Sequence, residues 1–581
     1  MAVVTGQRRR SHWAWGYEDE LASGSQLRGI AELVAAGTGL PLPGELAEPV
    51  PLARVRLPAP RVTVPARLAG CCSQEPHDRA VHSHGMAYRD LVRAFRGQFD
   101  HVPDVVARPG GEDEITQLLA WCESAGLAVI PFGGGTSVVG GVEPRTGPGY
   151  AGTVSLDLSR LRRVLEVDAV SGAARIQAGA TGPDLNRQLA AHGLSLRHFP
   201  QSYEFSTLGG WLATRAGGHY ASGPTHIDDL VEAVRAVTPA GIWQSRRLPG
   251  SGAGPSPDRM LLGSEGILGV ITEAWVRVQR PPRHRAAANV WFGSLRAGAD
   301  AVRAITAAGL APASCRLLDP AEAALSAGGD GRRALLLLGF ESAEHEVRPW
   351  LAAGLRHART CGGEWDGERI TAPAGGEAGR AGPGSGDGGS GDAGIRDAGS
   401  AGTGGGPGGS GGGAAGRWRE SFLRMPYLRN AFPALGLLAE TFESAVTWDA
   451  FPAFHEQVSA AAAEAARQAT GGPAIVTCRF AFAYPDGPAP YYTVLAPARR
   501  GEETAQWDAI KAAVSDAVLR AGGTITHHHA VGRDHRRWYD QQRPAPFAAA
   551  LRGAKAAVDP QGILNPGVLI GPPTAAASGS S

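Results

Sequence analysis

Three consecutive histidines, His527, His528 and His529, stand in the segment THHHAVG near the end of the chain. Imidazole changes charge near neutral pH, so such a cluster reads as acid–base machinery or as a metal site. In a chain with 17 histidines it also reads as a surface accident. A metal would want carboxylate or thiolate partners at suitable spacing, and none is evident in the sequence. Neighbours on a strand point to opposite faces, so there His527 and His529 would share a side that His528 does not. A second chemical signal is the stretch PFGGGTSVVGGVEP at 131–144, which follows the apolar run LAVI of a short buried strand. Gly133, Gly134 and Gly135 remove every side chain where that strand ends. Backbone N–H groups can crowd there into a nest for an anion, most often a phosphate. Thr136 and Ser137 add hydroxyl donors. A merely flexible glycine loop fits the same residues.

The elements that must position these residues follow from the rest of the pattern. The chain has 581 residues, which calls for two or three domains. Lys and Arg total 56 against 55 for Asp and Glu, so nothing points to nucleic acid. The six cysteines are scattered, with no C-x-x-C pair, which argues against a disulfide framework or a zinc ribbon. There is no secretory pattern at the N-terminus and no run long enough to span a membrane. The expected location is therefore cytoplasmic, with any membrane association made from the surface.

Residues 1–98 read as an irregular, partly helical extension. Residues 99–281 alternate strands with helices, including a helix over 112–125 and another over 182–193. Residues 282–522 read as an antiparallel sheet covered by helices. This block is interrupted at 373–416 by a Gly-, Ala-, Ser- and Asp-rich tract, which we expect to be a disordered insertion. Residues 523–581 carry the histidines. The segments at 198–231 and 263–278 place small residues and hydroxyls where a large flat ligand can lie close to the backbone.

Taken in order, AWGYED, PFGGGTS, YEFSTLGGWLATRA, IDDLV, TPAG, GSEGILGVITEA, PASCRL, PYLRN, TFESAVTWD, TCR and HHHAVG are specific. The chain resembles the FAD-binding oxidases of the vanillyl-alcohol oxidase/p-cresol methylhydroxylase type, and within them the alkyl-dihydroxyacetonephosphate synthases. The resemblance implies an α+β fold, with a two-part FAD-binding domain and an antiparallel-sheet cap. It implies that Pro131, Phe132, Gly133, Gly134, Gly135, Thr136 and Ser137 wrap the FAD pyrophosphate. Pro200, Gln201, Ser202, Tyr203, Glu204, Phe205 and Ser206 would complete the flavin site, with Ala213, Thr214, Arg215 and Ala216. So would Glu265, Gly266, Ile267, Leu268, Gly269, Val270 and Ile271. Gly209–Gly210 and Gly217–Gly218 would let the chain pass close to the isoalloxazine ring. The loop at 131–144 contains no histidine, so the FAD is expected to be non-covalent.

The implied reaction replaces the acyl chain of acyl-dihydroxyacetone phosphate by a fatty alcohol through an adduct at flavin N5, with no net redox. Tyr491 matches the family's acid/base tyrosine, with Tyr484 and Tyr492 as alternatives. Arg429 and Arg316 match arginines that hold the substrate phosphate or order the site. The three histidines match a triplet beside the flavin, and no metal is implied. Lipid substrates, peripheral membrane contact and a homodimer accompany this reading. An FAD-linked D-2-hydroxy acid dehydrogenase or oxidase is the competing one, because the ending VDPQGILNPG is typical of the glycolate and lactate dehydrogenases.

Overall fold

The computed structural model describes residues 8–41, 44–371 and 414–571. Three sheets organise them. The first has the strand order Cys72–Ser73, Val105–Ala107, Gly152–Asp157, Leu127–Phe132. Its last three strands are parallel and its first is antiparallel to its neighbour. The second is antiparallel, in the order Val164–Asp168, Ala173–Gln177, Val270–Arg277, Val231–Thr238, Gly241–Gln244. One apolar core joins these two sheets and the helix Glu112–Ala125 between them.

The third sheet is also antiparallel and has seven strands among the described residues. Their order is Glu368–Thr371, His284–Phe292, Ala334–Ser342, Ser314–Leu318, Ile475–Ala483, Pro488–Pro497, Leu437–Glu443. Alternation decides its two faces. Phe442, Cys478, Phe480 and Tyr492 turn to one side, beneath the helices Phe451–Thr470 and Glu503–Arg520. Glu443, Arg479 and Tyr491 turn to the other, because Glu443 and Arg479 each pair with Tyr491 in register. The strand Ala334–Ser342 is buried along ALLLLGF, as expected for a central strand covered on both faces. Burying each such leucine contributes about 1.5–3 kcal/mol.

Two expectations change here. The tract at 373–416 lies outside the described residues except for its last three. These open the helix Ala414–Arg429 instead of continuing an irregular segment. Trp418 anchors that helix, buried over the Arg316 guanidinium at 5.0 Å. The histidines do not lie on a strand either. They form an irregular turn between the helices Glu503–Arg520 and Arg536–Gln542, so the alternating-face argument does not apply to them.

The ending VDPQGILNPG is a clasp. The Asp559 carboxylate accepts the N–H groups of Ile563 and Leu564 at 3.0 and 2.8 Å, and Lys555 Nζ at 2.6 Å. The clasp lays Leu564 parallel to Val129 on the free edge of the first sheet, through Val129 N–H to Ile563 O and Asn565 N–H to Val129 O, both 2.8 Å. This segment covers the edge of the sheet, and its Asn565 amide donates to Gly141 O and Glu265 O.

Candidate active site

The turn around the histidines is built on one buried carboxylate. Glu443 accepts the Thr526 hydroxyl at 2.7 Å and the backbone N–H groups of His527, His528 (3.1 Å) and His529 (2.9 Å). Burial works to raise its pKa. The neighbouring His528, His529 and His527 and the Thr526 bond outweigh burial and hold it well below the usual carboxylate range. Burial pushes the imidazoles down as well: His527 to about 3, His529 to about 4 and His528 well below its ordinary value. At neutral pH the cluster is therefore an ionised carboxylate inside a nest of N–H donors, carrying three neutral rings able to accept protons.

Glu443 is also the carboxylate partner that the sequence did not show. It brings ligand atoms within 4.8 Å of those of His527 and His528. Three of its four donors go to Oε1 and one to Oε2.

Tyr491 faces the same cluster, its ring 6.1 Å from His528 and 5.4 Å from His529. The Arg479 guanidinium lies 4.0 Å over that ring and is tied to Glu322 at 3.0 Å. Tyr484 also reaches the cluster, with its hydroxyl 2.8 Å from His527 Nε2. Tyr492 does not. It points to the helix-covered face, stacks on Phe442 and bonds His455. A bulge between Phe480 and Phe482 turns Phe482 to the site side, against His527 and His528.

Arg429 lines a small cavity with His529, Lys511, Glu440, Thr441 and Tyr88. Its bond among the described residues is to Met86 O at 3.1 Å. Burial lowers its pKa, while Tyr491, Glu440 and Asp90 act the other way. Arg316 is fully buried and donates to Ala481 O and His219 O, each at 2.9 Å. No carboxylate pairs with it among the described residues, and burial together with Arg479 pushes its pKa down to about 10. Both arginines thus stand on the histidine side of the sheet as cations available to an anion.

The glycine loop fits a buried diphosphate. None of the backbone N–H groups from Gly133 to Val138 donates to another described residue. Six consecutive unspent donors on a half-buried turn make the anion nest that the composition implied. The glycines are needed because this loop packs onto the segment at 205–207. A Cβ on Gly134 would lie 1.8 Å from Phe205 O, and one on Gly133 would lie 2.3 Å from Thr207 Oγ1. We therefore expect Gly134→Ala to abolish FAD retention, read as the visible flavin absorbance per protein after gel filtration. Full retention would show that the loop does not hold the cofactor.

Several other residues expected to line the cofactor have side chains bonded within the protein. The Ser137 hydroxyl accepts Gly141 N–H inside its own turn at 3.0 Å. Tyr203 bonds Gly182 O and Asn186, Ser206 accepts Trp211 Nε1, and Gln201 donates to Phe422 O. Glu204 accepts the Tyr427 hydroxyl and Phe205 lies beneath Arg10. Ser202 and Pro200 belong to the same turn, which bonds back on itself. Arg215 pairs with Asp228 at 2.6 Å. The side chains of Ile267, Leu268, Val270 and Ile271 are core, because the strand Val270–Arg277 begins there.

Glu265 has both oxygens on Val531 and Gly532 N–H, at 2.9 and 2.8 Å, and so anchors the segment after the histidines. Burial pushes its pKa up to about 7. Positive φ at Arg215, Glu265 and Ala530 gathers backbone strain around this junction. Gly209, Gly217 and Gly218 allow close approach to protein: Ala178, then Phe482 and His528, then His198. Ala213, Thr214, Ala216, Gly266 and Gly269 lie along the same junction. There Ala213 O accepts Glu265 N–H and a Cβ on Gly266 would meet Pro131.

Similarity to known proteins agrees with this geometry. Residues 103–245 match the family described as FAD binding domain. Residues 281–377 and 410–569 match the C-terminal domain of the FAD linked oxidases. The chain belongs to this family of FAD-linked oxidases, it is a flavoenzyme, and its cofactor is FAD. It is 29% identical over 499 residues to the alkyldihydroxyacetonephosphate synthase of Trypanosoma brucei brucei, covering 86% of this chain and 78% of that one. A solved alkyldihydroxyacetonephosphate synthase superposes with a TM-score of 0.74 at 23% identity, over 96% of this chain and 97% of that one. The structure of p-cresol methylhydroxylase superposes at 0.61 with 13% identity, over 95% and 98%. The fold is thus the α+β arrangement of an FAD-binding part and an antiparallel cap. No described helix is long and apolar enough to cross a membrane.

Proposed function

We propose that this enzyme forms the ether bond of ether lipids, exchanging the acyl group of acyl-dihydroxyacetone phosphate for a long-chain alcohol. The observation that carries the reading is the neutral histidine triplet seated on Glu443, facing Tyr491 and flanked by Arg429. This arrangement joins a proton acceptor to an anion clamp. FAD, held without a covalent link, would supply the electrophilic N5 of its ring system when bound.

The chain's own residues do the rest. Arg429 holds the phosphate dianion, Lys511 beside it being paired with Glu440 at 2.8 Å, and Arg316 keeps the strand pair in place or takes a second anionic group. His528 accepts the proton that leaves C1. The C1–O bond to the acyl group breaks with its electron pair on the departing carboxylate. The alcohol oxygen forms the new C1–O bond, its proton passes through Tyr491 to the departing carboxylate, and a proton that has exchanged with solvent returns from His528 to C1. No electrons are gained or lost overall, so no acceptor is needed. Residues 99–281 are proposed to hold the cofactor and residues 282–522 the lipid, which reaches the site from a membrane surface.

The hydroxy-acid reading rested on VDPQGILNPG, and that segment is the sheet clasp described above. The test is anaerobic. Acyl-dihydroxyacetone phosphate and labelled hexadecanol should give labelled ether with no electron acceptor present. Bleaching of the flavin by D-lactate, with no ether formed, would overturn the proposal. Arg429→Ala should raise KM for the phosphate-bearing substrate by about 10- to 100-fold, the value of one charge-assisted bond. The KM for hexadecanol should not move. Equal effects on both, or none on either, would remove Arg429 from the clamp.

A further inference from the structure

A continuous hydrogen-bonded chain runs from a half-buried histidine to the active-site ring. His226 Nε2 lies 3.1 Å from His527 O, and His226 Nδ1 lies 3.2 Å from Thr225 Oγ1. Thr225 Oγ1 is 2.8 Å from the Tyr484 hydroxyl, which is 2.8 Å from His527 Nε2. His527 Nδ1 is 3.2 Å from His528 Nδ1. Residues 225 and 226 come from the loop before the strand Val231–Thr238, Tyr484 from the end of the strand Ile475–Ala483, and the last two from the histidine turn. Three separate parts of the chain have converged.

The proton positions in this chain follow from counting donors. A carbonyl oxygen only accepts, so Nε2 of His226 carries the hydrogen. In the neutral ring Nδ1 then accepts, and Thr225 must donate to it. The one hydroxyl hydrogen of Thr225 is spent, so its oxygen accepts from Tyr484. The hydrogen of Tyr484 is spent in turn, so its oxygen accepts from His527 Nε2. His527 is then the Nε2–H tautomer, and its Nδ1 accepts from His528. His528 is the Nδ1–H tautomer, a direction also favoured by Glu443 Oε2 at 3.7 Å from that nitrogen. The remaining nitrogen, His528 Nε2, makes no bond among the described residues and keeps its lone pair.

We propose that His226, Thr225 and Tyr484 are positioning residues, which lock His528 as the Nδ1–H tautomer with Nε2 free to take the substrate proton. The inference rests on the reading of His528 as the base, and its test separates the two. Long-range proton–nitrogen spectra of the FAD-loaded full chain, with labelled histidine rings and no substrate, report each tautomer above the ordinary histidine titration range. His528→Gln assigns the His528 signals by their loss.

The wild type should show His528 protonated at Nδ1 and His527 at Nε2. Tyr484→Phe and Thr225→Val should mix the His527 and His528 tautomers. They should lower kcat for ether formation by about 10- to 100-fold with KM unchanged, less than the about 100- to 10,000-fold that an acid–base group supplies. Thr225→Ser, which keeps the hydroxyl, should restore both readouts. A wild-type His528 protonated at Nε2, or tautomers unmoved in both variants, would overturn the lock even if ether forms. The predicted tautomers in an enzyme that makes no ether would instead overturn the proposed reaction and leave the lock standing.

Discussion

His528→Ala is expected to slow ether formation by about 100- to 10,000-fold, the range that a positioned acid–base group contributes. The FAD content should stay at the wild-type level, because the glycine loop and its unspent N–H groups lie in a different part of the chain. KM for both substrates should change little, since the ring acts on C1 and holds neither the phosphate nor the alkyl chain. His529→Ala should cost less, because His529 lies toward the Arg429 cavity. Rates are compared at saturating substrate with equal bound flavin. A His528→Ala enzyme within threefold of wild type would leave Tyr491 as the base.

The second large effect is expected at Glu443. Glu443→Gln removes the charge and turns an NH2 group toward backbone N–H donors, of which those of His527 and His528 have no other acceptor among the described residues. Losing the charge-assisted bond to His527 N–H should destabilise this region by about 1.5–3 kcal/mol. The turn would then release the three rings, and ether formation should fall as far as in His528→Ala. The pH dependence has a definite sign. Glu443 titrates lower in the folded state than in the unfolded chain, so its contribution is present above about pH 4.3, the ordinary glutamate value, and is lost as pH falls below that.

His527, His528 and His529 are also lowered by burial, so they bind protons more readily unfolded. Wild-type stability should therefore start to fall below about pH 6.5, the ordinary histidine value, and drop further where Glu443 joins in. Thermal melts from pH 8 to 4, a range spanning about both ordinary values, should show the melting midpoint falling with acidity as the histidines' contribution outweighs the opposite one of Glu265, which burial raises to about 7. A midpoint that rises with acidity would contradict the neutral-histidine description.

The sequence reveals unequal shares of this site. The strand and glycine loop are legible because their signal is local: an apolar run, then three residues without side chains. The histidine triplet is legible as a composition, but its geometry is not. Glu443 lies 84 residues from His527 in the chain. It reaches the turn through the pairing of Leu437–Glu443 with Pro488–Pro497, which no spacing in the sequence encodes.

Thr225 and His226 were missed for the same reason, and Tyr484 was named only as an alternative to Tyr491. Their only signal was that they sit inside or beside quoted motifs. The side chains of Ile267, Leu268, Val270 and Ile271 point into the core, which the apolar run in ILGVI already signals, so any contact of this segment with the cofactor is made by its backbone. Tyr491 could have been separated from Tyr492 by the period of two along a strand, had the buried face been known.

The most direct test follows isotopes through one turnover of the wild-type enzyme. The substrates are acyl-dihydroxyacetone phosphate deuterated at C1 and hexadecanol labelled with heavy oxygen, without oxygen or any other acceptor. The predicted product is an ether that carries the alcohol's heavy oxygen and has lost one C1 deuteron to solvent, with one fatty acid released and the flavin still oxidised. An ether that keeps both deuterons, or a flavin that ends reduced in step with product, would contradict proton abstraction at C1 by the histidine cluster.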